Sequence, residues 1–155
     1  MLDSVVFADM FGTPEMRGVF GDDGFFARCI EVEAALARAQ ARLGIIPPEA
    51  AAAISRAADP PPRLDRARLK AETETVGYPV LPLVRQLAGA VGPAGRWLHW
   101  GATTQDIMDT AAVLQIRAGL RLIEADLAAV RDHLAALARR HRDLPLAGRT
   151  HLQHA

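Results

Sequence analysis

The residue types most suited to chemistry stand in two short polar clusters. The first runs from His99 to Asp106, where an irregular segment enters a long predicted helix. The start of a helix presents unpaired amides and the positive end of its dipole, so it favours carboxylate ligands. Gly101 would let a ligand approach the backbone, and three neutral donors stand beside those amides: Thr103, Thr104 and Gln105. The cluster therefore predicts a carboxylate site, although an ordinary helix cap with a Thr and an early Asp explains the same residues.

The second cluster comprises Arg149, Thr150, His151 and Gln153. A histidine can move protons near neutral pH, and a guanidinium beside it can hold a carboxylate. Spacing alone favours a surface loop here, and both interpretations stay open.

No other pattern in the sequence indicates a cofactor. It contains no zinc-ligand spacing, phosphate-binding glycine loop, dinucleotide fingerprint or serine elbow. We therefore expect neither a metal nor a nucleotide cofactor.

The composition limits the class of protein. Half of the 155 residues are hydrophobic but only 5% are aromatic, and 18 basic residues balance 18 acidic ones. Such a chain can fill a core with helices packed on helices, and its zero net charge gives no electrostatic footprint for nucleic acid or an anionic membrane. A single cysteine, the lack of a start that resembles a signal peptide, and the lack of an apolar run of about 20 residues predict a cytoplasmic protein.

Glycine and proline divide the chain into predicted helices. Residues 1–21 are expected to be irregular. A helix should run from Asp22 or Asp23 to about residue 43, with an apolar stripe formed by Phe25, Cys29, Val32, Leu36, Ala39 and Leu43. Shorter helices are expected over about 47–57, 64–75 and 80–91. The predicted fold class is all-α, with an amino-terminal helical domain over residues 1–102.

The main feature is a long helix from about Thr104 to His141, about 57 Å long at about 1.5 Å per residue. Gly119 should weaken it by about 1 kcal/mol relative to Ala. Its apolar stripe advances in alternating steps of three and four residues: Val113, Ile116, Leu120, Ile123, Leu127, Val130, Leu134, Leu137 and His141. We expect residues 103–155 to begin a helical-bundle domain whose other helices come from further chain or from sister subunits.

Both polar clusters resemble signature blocks of the fumarase/aspartase superfamily. Residues 97–111 (WLHWGATTQDIMDTA) resemble the first block, and residues 148–153 (GRTHLQ) resemble the second. Residues 77–84 (GYPVLPLV) are similar to the 3-carboxy-cis,cis-muconate lactonizing enzymes. Adenylosuccinate lyases carry an Arg-Tyr pair where this chain reads MFG at 10–12. They also carry a His-Asp pair in the region that corresponds to residues 77–82, and this chain has no such pair there. Both departures argue against a nucleotide substrate.

This resemblance implies a cofactor-free cycloisomerase that converts 3-carboxy-cis,cis-muconate to 4-carboxymuconolactone in protocatechuate degradation. The helix start would bind one substrate carboxylate, and Arg149, Thr150 and Gln153 would hold a second. His151 or His99 would donate the proton. Charge builds on a carboxyl group in the transition state, so donors aimed at that group would supply much of the rate.

The resemblance also implies a homotetramer with active sites built from three subunits, and a catalytic serine far downstream. Family members are about three times as long as this chain, so we expect an amino-terminal fragment that is inactive alone. Two alternatives remain: an adenylosuccinate lyase or another C–N or C–O lyase of the superfamily, and a helical oligomerisation module without enzyme activity.

Overall fold

A computed structural model describes residues 6–145, 147–151 and 153–154, without the side chains of Thr150 and His154. The α-helices of this part of the chain are α1 (Pro14–Phe20), α2 (Asp22–Arg42), α3 (Pro48–Ala58), α4 (Arg66–Val76), α5 (Val80–Val91) and α6 (Thr104–Arg140). Two 3-10 turns span Ala8–Met10 and Gly92–Trp97, and the antiparallel strands are β1 (Arg149–Thr150) and β2 (Gln153–His154). The predicted all-α fold class is confirmed.

The chain forms two compact units, Met1–Gly119 and Leu120–Ala155. Helix α6 begins in the first unit and ends in the second. The domain boundary expected between residues 102 and 103 stays a prediction. None of the helices in the described part of the chain combines the length and the apolar character that spanning a membrane requires.

Helix α1 lies in a segment that the sequence analysis expected to be irregular, and that expectation was wrong. The Thr13 hydroxyl caps the helix by accepting a hydrogen bond from the Met16 amide at 3.2 Å, and Pro14 occupies the first helical position. Both residue types are favoured at those positions because Thr satisfies a free amide and Pro has none to satisfy. The helix signal was therefore present among the glycines around it.

Helix α2 is buried along a different face from the one expected. Of the predicted stripe only Cys29 is buried, whereas Leu43 is 75% exposed. The buried face of α2 consists of Phe26, Cys29, Ile30, Glu33, Ala34 and Ala37. Alanine allows a neighbouring helix to approach closely, so the small side chains mark the true interface. In the hydrophobic pattern of the sequence, the larger apolar residues outweighed them.

The 3-10 turn Gly92–Trp97 packs tightly against α5 and so fixes where the following loop begins. A Cβ atom added to Gly95 would lie 2.5 Å from the carbonyl oxygen of Ala88 and 2.9 Å from its Cα atom. Leu83 and Leu87 of α5 are fully buried in the adjoining core. Only glycine allows the turn to approach α5 this closely.

The first turns of α6 are anchored in the first unit along one face. Its residues Ile107, Ala111, Gln115 and Gly119 are buried. The Gln115 side-chain amide donates to the carbonyl oxygen of Val19 at 2.7 Å, and a Cβ atom on Gly119 would lie 3.2 Å from a ring carbon of Phe20. The helix continues through Gly119. The absence of a side chain at this position allows close contact with Phe20 of α1.

The apolar stripe of α6 is exposed in both units, as the sequence analysis expected. In the first unit, Val113 is 62% and Ile116 is 52% exposed. In the second unit the exposed fractions run from 46% to 62% for Leu120, Ile123, Leu127, Val130, Leu134 and Leu137. The described residues of this chain therefore do not cover the stripe.

The close contact at Gly95 gives a matched test of the fold that positions the loop. We expect Gly95→Ala to lower the free energy of unfolding by about 1–3 kcal/mol, because the new methyl group would clash with the α5 backbone. Gly89→Ala is the control, since Gly89 lies in α5 itself and a Cβ atom added there meets no neighbouring atom; this substitution should raise stability by up to about 1 kcal/mol. Urea unfolding monitored by circular dichroism measures both; equal effects of the two substitutions would contradict the packing described.

Candidate functional site

The loop of residues 98–102 connects the 3-10 turn to α6 and holds two residues in the left-handed region. The φ angle is 58° at His99 and 68° at Gly101. The Ala102 amide donates to the carbonyl oxygen of His99 at 3.3 Å and closes a turn between them. Glycine adopts this conformation freely, whereas a histidine is held there at some energetic cost.

Two polar side chains of α2 hold this loop in place. The Nδ1 atom of His99 lies 2.6 Å from Oε1 of Glu33. The side-chain amide of Gln40 donates to the carbonyl oxygen of Trp100, also at 2.6 Å. Glu33 and Gln40 are seven residues apart, so they lie on the same face of the helix. The loop conformation therefore depends on contacts made by α2.

The roles of Glu33 and Gln40 were not predicted from the sequence. Both contacts join residues more than 50 positions apart, and helical periodicity carries no information about such pairs. The signal that could have found Glu33 is its position, because a carboxylate between the apolar residues Ile30 and Ala34 interrupts a buried face. A charged residue is almost never fully buried without a partner, so its neighbourhood should contain one.

The carboxyl group of Glu33 is strongly affected by burial. Its side chain is fully buried, and its Oε2 atom makes no hydrogen bond within the described part of the chain. Burial raises the pKa of Glu33, although the hydrogen bond and the charge of His99 act in the opposite direction. One turn earlier, burial and then the charge of Glu33 raise the pKa of the Cys29 thiol to about 12. Cys29 is therefore a protonated core residue and has no nucleophilic thiolate to offer.

A reciprocal cap begins α6. The backbone amide and the hydroxyl of Thr103 both donate to Oδ2 of Asp106, at 2.8 Å and 2.9 Å, and the Asp106 amide donates back to the Thr103 hydroxyl at 3.4 Å. These contacts have the form of a capping box. The hydrogen bonds from the Thr103 amide and then its hydroxyl lower the pKa of Asp106, and His99 adds a smaller electrostatic effect in the same direction.

The helix-cap interpretation is thus correct, and it leaves room for the carboxylate interpretation. The polar groups of Thr103 face Asp106, and the side-chain amide of Gln105 donates to Asp109. The first amides of a helix have no acceptor within it, and here those belong to Thr104 and Gln105. Carboxylate binding by these groups stays a prediction.

A cleft of about 330 Å³ lies beside this helix start. The side chains of Val32, Leu36 and Gln40 form its α2 wall, and Gly101 and Asp106 are among the residues opposite. A larger cleft, of about 1000 Å³, lies elsewhere, between α1, α2 and α4. Its charged lining residues are of both signs, and no predicted site residue is among them. The smaller cleft is therefore the one adjoining the predicted chemistry.

The second cluster forms a small hairpin in the second unit. Arg149 pairs with His154 and Thr150 with Gln153 across the two strands. His151 lies in the connecting turn with a φ angle of 44°, a conformation that two-residue hairpin turns require. The side chains of Arg149, His151 and Gln153 are exposed, whereas that of Thr150 lies outside the described part of the chain. The substrate-binding roles of these residues remain predictions.

The structure brings the residues of the first cluster together within the first unit. His99, Gly101, Thr103, Thr104 and Gln105 stand together at one loop and helix start in the first unit. Within the described residues no group of three or more His, Cys, Asp or Glu side chains is arranged to hold a metal ion. The predicted absence of a cofactor remains a prediction.

Known proteins match nearly all of this chain. The trans-aconitate decarboxylase 1 of Mycosarcoma maydis is 46% identical over 149 residues, which cover 96% of this chain and 30% of that protein. The 3-carboxy-cis,cis-muconate cycloisomerase of Pseudomonas putida is 46% identical over 154 residues, which cover 97% of this chain and 36% of that protein. The crystal structure of fumarate lyase from Mesorhizobium sp. BNC1 superimposes with a TM-score of 0.88 at 61% identity, covering 94% of this chain and 34% of that one.

The matched region spans about a third of the length of these relatives, as the fractions of 30%, 36% and 34% state. The sequence profile of the family described as "Lyase" matches residues 10–155. Both signature blocks lie within that match, and the solved relative has the same helical fold. The chain therefore belongs to the lyase family, within the fumarase/aspartase superfamily.

Proposed function

We propose that the full gene product containing this chain is a cofactor-free enzyme acting on an unsaturated polycarboxylate, and that its reaction is the cycloisomerisation of 3-carboxy-cis,cis-muconate to 4-carboxymuconolactone. The names of three relatives support the substrate class. Trans-aconitate, 3-carboxy-cis,cis-muconate and fumarate are all alkenes with at least two carboxyl groups. The likeness to a cycloisomerase over 97% of this chain supports the particular reaction, which belongs to protocatechuate degradation.

The observation that carries this proposal is the start of α6. Its free amides lie beside a loop that α2 fixes with two hydrogen bonds. The amides of Thr104 and Gln105 would bind one carboxylate with the help of the helix dipole, and Gly101 would keep the approach open. Rigid placement matters because donors that are already oriented stabilise developing charge without reorganising.

The proposed reaction is internally balanced. A carboxylate oxygen of the substrate forms a bond to an alkene carbon, the π bond breaks, and the neighbouring carbon takes a proton. His99 or His151 would supply that proton, and Arg149, Thr150 and Gln153 would hold the carboxyl group on which charge accumulates. No electron acceptor or donor is needed.

A substrate panel on the full gene product tests the proposal. We expect lactone formation from 3-carboxy-cis,cis-muconate without added cofactor and in the presence of a chelator, and no lactone from the isolated 155-residue chain. Turnover of adenylosuccinate alone would favour the lyase alternative, and turnover of none of the panel would favour the helical assembly module. Lactone formation by the isolated chain would contradict the expected dependence on residues beyond it.

Matched substitutions link that activity to the helix start. Thr104→Pro should lower kcat/KM by about tenfold, because proline is tolerated at the first helical position but has no amide to donate to a charged group. Asp22→Pro is the control, because Asp22 is likewise the first residue of a helix, α2. Equal losses in the two variants would contradict a role for the α6 start.

We also propose that the exposed stripe of α6 packs against helices of sister copies, giving a cytoplasmic homotetramer. Apolar patches larger than a few hundred Å² rarely stay in water. Light scattering of the full gene product should give four times the mass of one subunit, and Leu127→Glu with Leu134→Glu should reduce it to smaller species. Arg131→Glu is the control, since Arg131 is an exposed residue of the same helix outside the stripe. A monomeric wild-type protein would contradict the proposal.

A further inference from the structure

The contact between Glu33 and His99 is the strongest unexplained feature of the first unit. A fully buried carboxyl group lies 2.6 Å from the Nδ1 atom of an imidazole that is 21% exposed. One histidine nitrogen is therefore held by the interior of the protein, and Nε2 makes no hydrogen bond to the described residues, so it is the nitrogen that can act on a ligand. The hydrogen bond made at one ring nitrogen determines which tautomer a histidine adopts.

We propose that Glu33 is a positioning residue for His99: its carboxylate accepts a hydrogen bond from Nδ1–H, so that Nε2 is the atom that gains and loses the proton. The proposal deepens the proposed function and rests on it for the role of His99 in proton transfer. The placement of the proton on Nδ1 rests only on the contact between the two side chains.

The backbone of the loop gives a second and independent argument. His99 has a φ angle of 58°, which a non-glycine residue keeps only when its surroundings impose it. Glu33 holds the side chain of His99, and Gln40 holds the next carbonyl group, that of Trp100. Two hydrogen bonds from one helix face thus fix both the backbone and the ring of a strained histidine.

The energetics of burial point away from a purely stabilising role for Glu33. Its Oε2 atom is buried and makes no hydrogen bond within the described residues, so the group is only half satisfied. Replacing both members of a buried pair of charged groups by apolar residues of similar size is often neutral or stabilising, so stability alone does not require such a pair. A buried residue that lowers stability is expected mainly at functional sites, and Glu33 is such a residue.

Two other ionisable groups lie close enough to act on this pair. Cys29 is one turn from Glu33 on α2 and stays protonated because its pKa is about 12. Asp106 feels the charge of His99 at the start of α6. Cys29 is thus neutral at ordinary pH, and Asp106, whose pKa is lowered, is ionised.

The nitrogen-15 spectrum of the histidine side chains tests where the proton lies. In the 155-residue chain, with the His99 signals assigned by their loss in His99→Gln, we expect Nδ1 to have the shift of a protonated nitrogen at every pH at which the chain is folded. Nε2 alone should change on titration. A neutral His99 protonated at Nε2 in the wild-type chain would overturn the proposal.

Variants of α2 separate positioning from packing. Glu33→Gln keeps an acceptor oxygen and should retain the Nδ1–H tautomer, whereas Glu33→Leu should lose it. Gln40→Leu is the matched control, because Gln40 holds the same loop from the same helix face without touching the ring. Its spectrum should still show Nδ1–H. Loss of that tautomer in Gln40→Leu, or its retention in Glu33→Leu, would overturn the proposal.

Kinetics of the full gene product on 3-carboxy-cis,cis-muconate then test the consequence. Glu33→Leu should lower kcat by about 10- to 100-fold, the range known for removal of the group that orients a metal-bound histidine. KM should change by less than about twofold, and Glu33→Gln should recover part of kcat. A change confined to KM would overturn the positioning role. If the enzyme converts no compound of the substrate panel but the Nδ1–H tautomer of His99 still depends on Glu33, the proposed function is wrong and the placement of the proton is correct.

Discussion

Burial of one face of α6 is the constraint from which the rest of the first unit follows. Ile107, Ala111, Gln115 and Gly119 repeat every four residues and are all buried. They hold the first turns of the helix against the amino-terminal helices, and the hydrogen bond from Gln115 to the carbonyl oxygen of Val19 fixes its register. Because this face is occupied, the larger apolar residues of the stripe face outward. Within the first unit the helix thus has a buried face that includes the small residues Ala111 and Gly119 and an exposed face of larger apolar residues.

The same anchoring places the helix start beside α2, where the polar contacts are concentrated. Helix α2 buries alanines and large apolar residues along most of its inner face and interrupts them with one carboxylate, Glu33. Burial of this carboxylate lowers stability, but its contact with His99 fixes the loop of residues 98–102. The hydrogen bonds between Thr103 and Asp106 pair the polar groups at the helix start, so groups of the loop are not needed as partners for them. His99 and the amides of Thr104 and Gln105 are therefore left available for a ligand.

The sequence predicted what depends on regular local patterns. The long helix, its exposed stripe and the two signature blocks follow from period and residue order, and the expected end of α6 differs from Arg140 by one residue. The buried face of α2 was misassigned because small residues carry little weight in a hydrophobic pattern although they allow close packing. Helix α1 was missed because glycines on both sides outweighed the signal of Thr13 and Pro14.

Contacts between distant residues could not be predicted in the same way. Glu33 and His99, like Gln40 and Trp100, meet only because α2 and the loop pack together, and no spacing rule connects them. The cap at α6 was foreseen as one of two interpretations, and the structure shows that it uses the groups of Thr103. The donors that we expect to bind a carboxylate are therefore the backbone amides of Thr104 and Gln105, which the cap does not use.

The most direct test of the account is an amide titration of this chain with trans-aconitate, a tricarboxylate. The account predicts saturable shifts centred on the amides of Gly101, Thr104 and Gln105, with little change at the start of α2, an internal control that carries Asp22 and Asp23 in its first turn. Shifts confined to the arginines at the end of α6, or spread evenly over the helix starts, would contradict it.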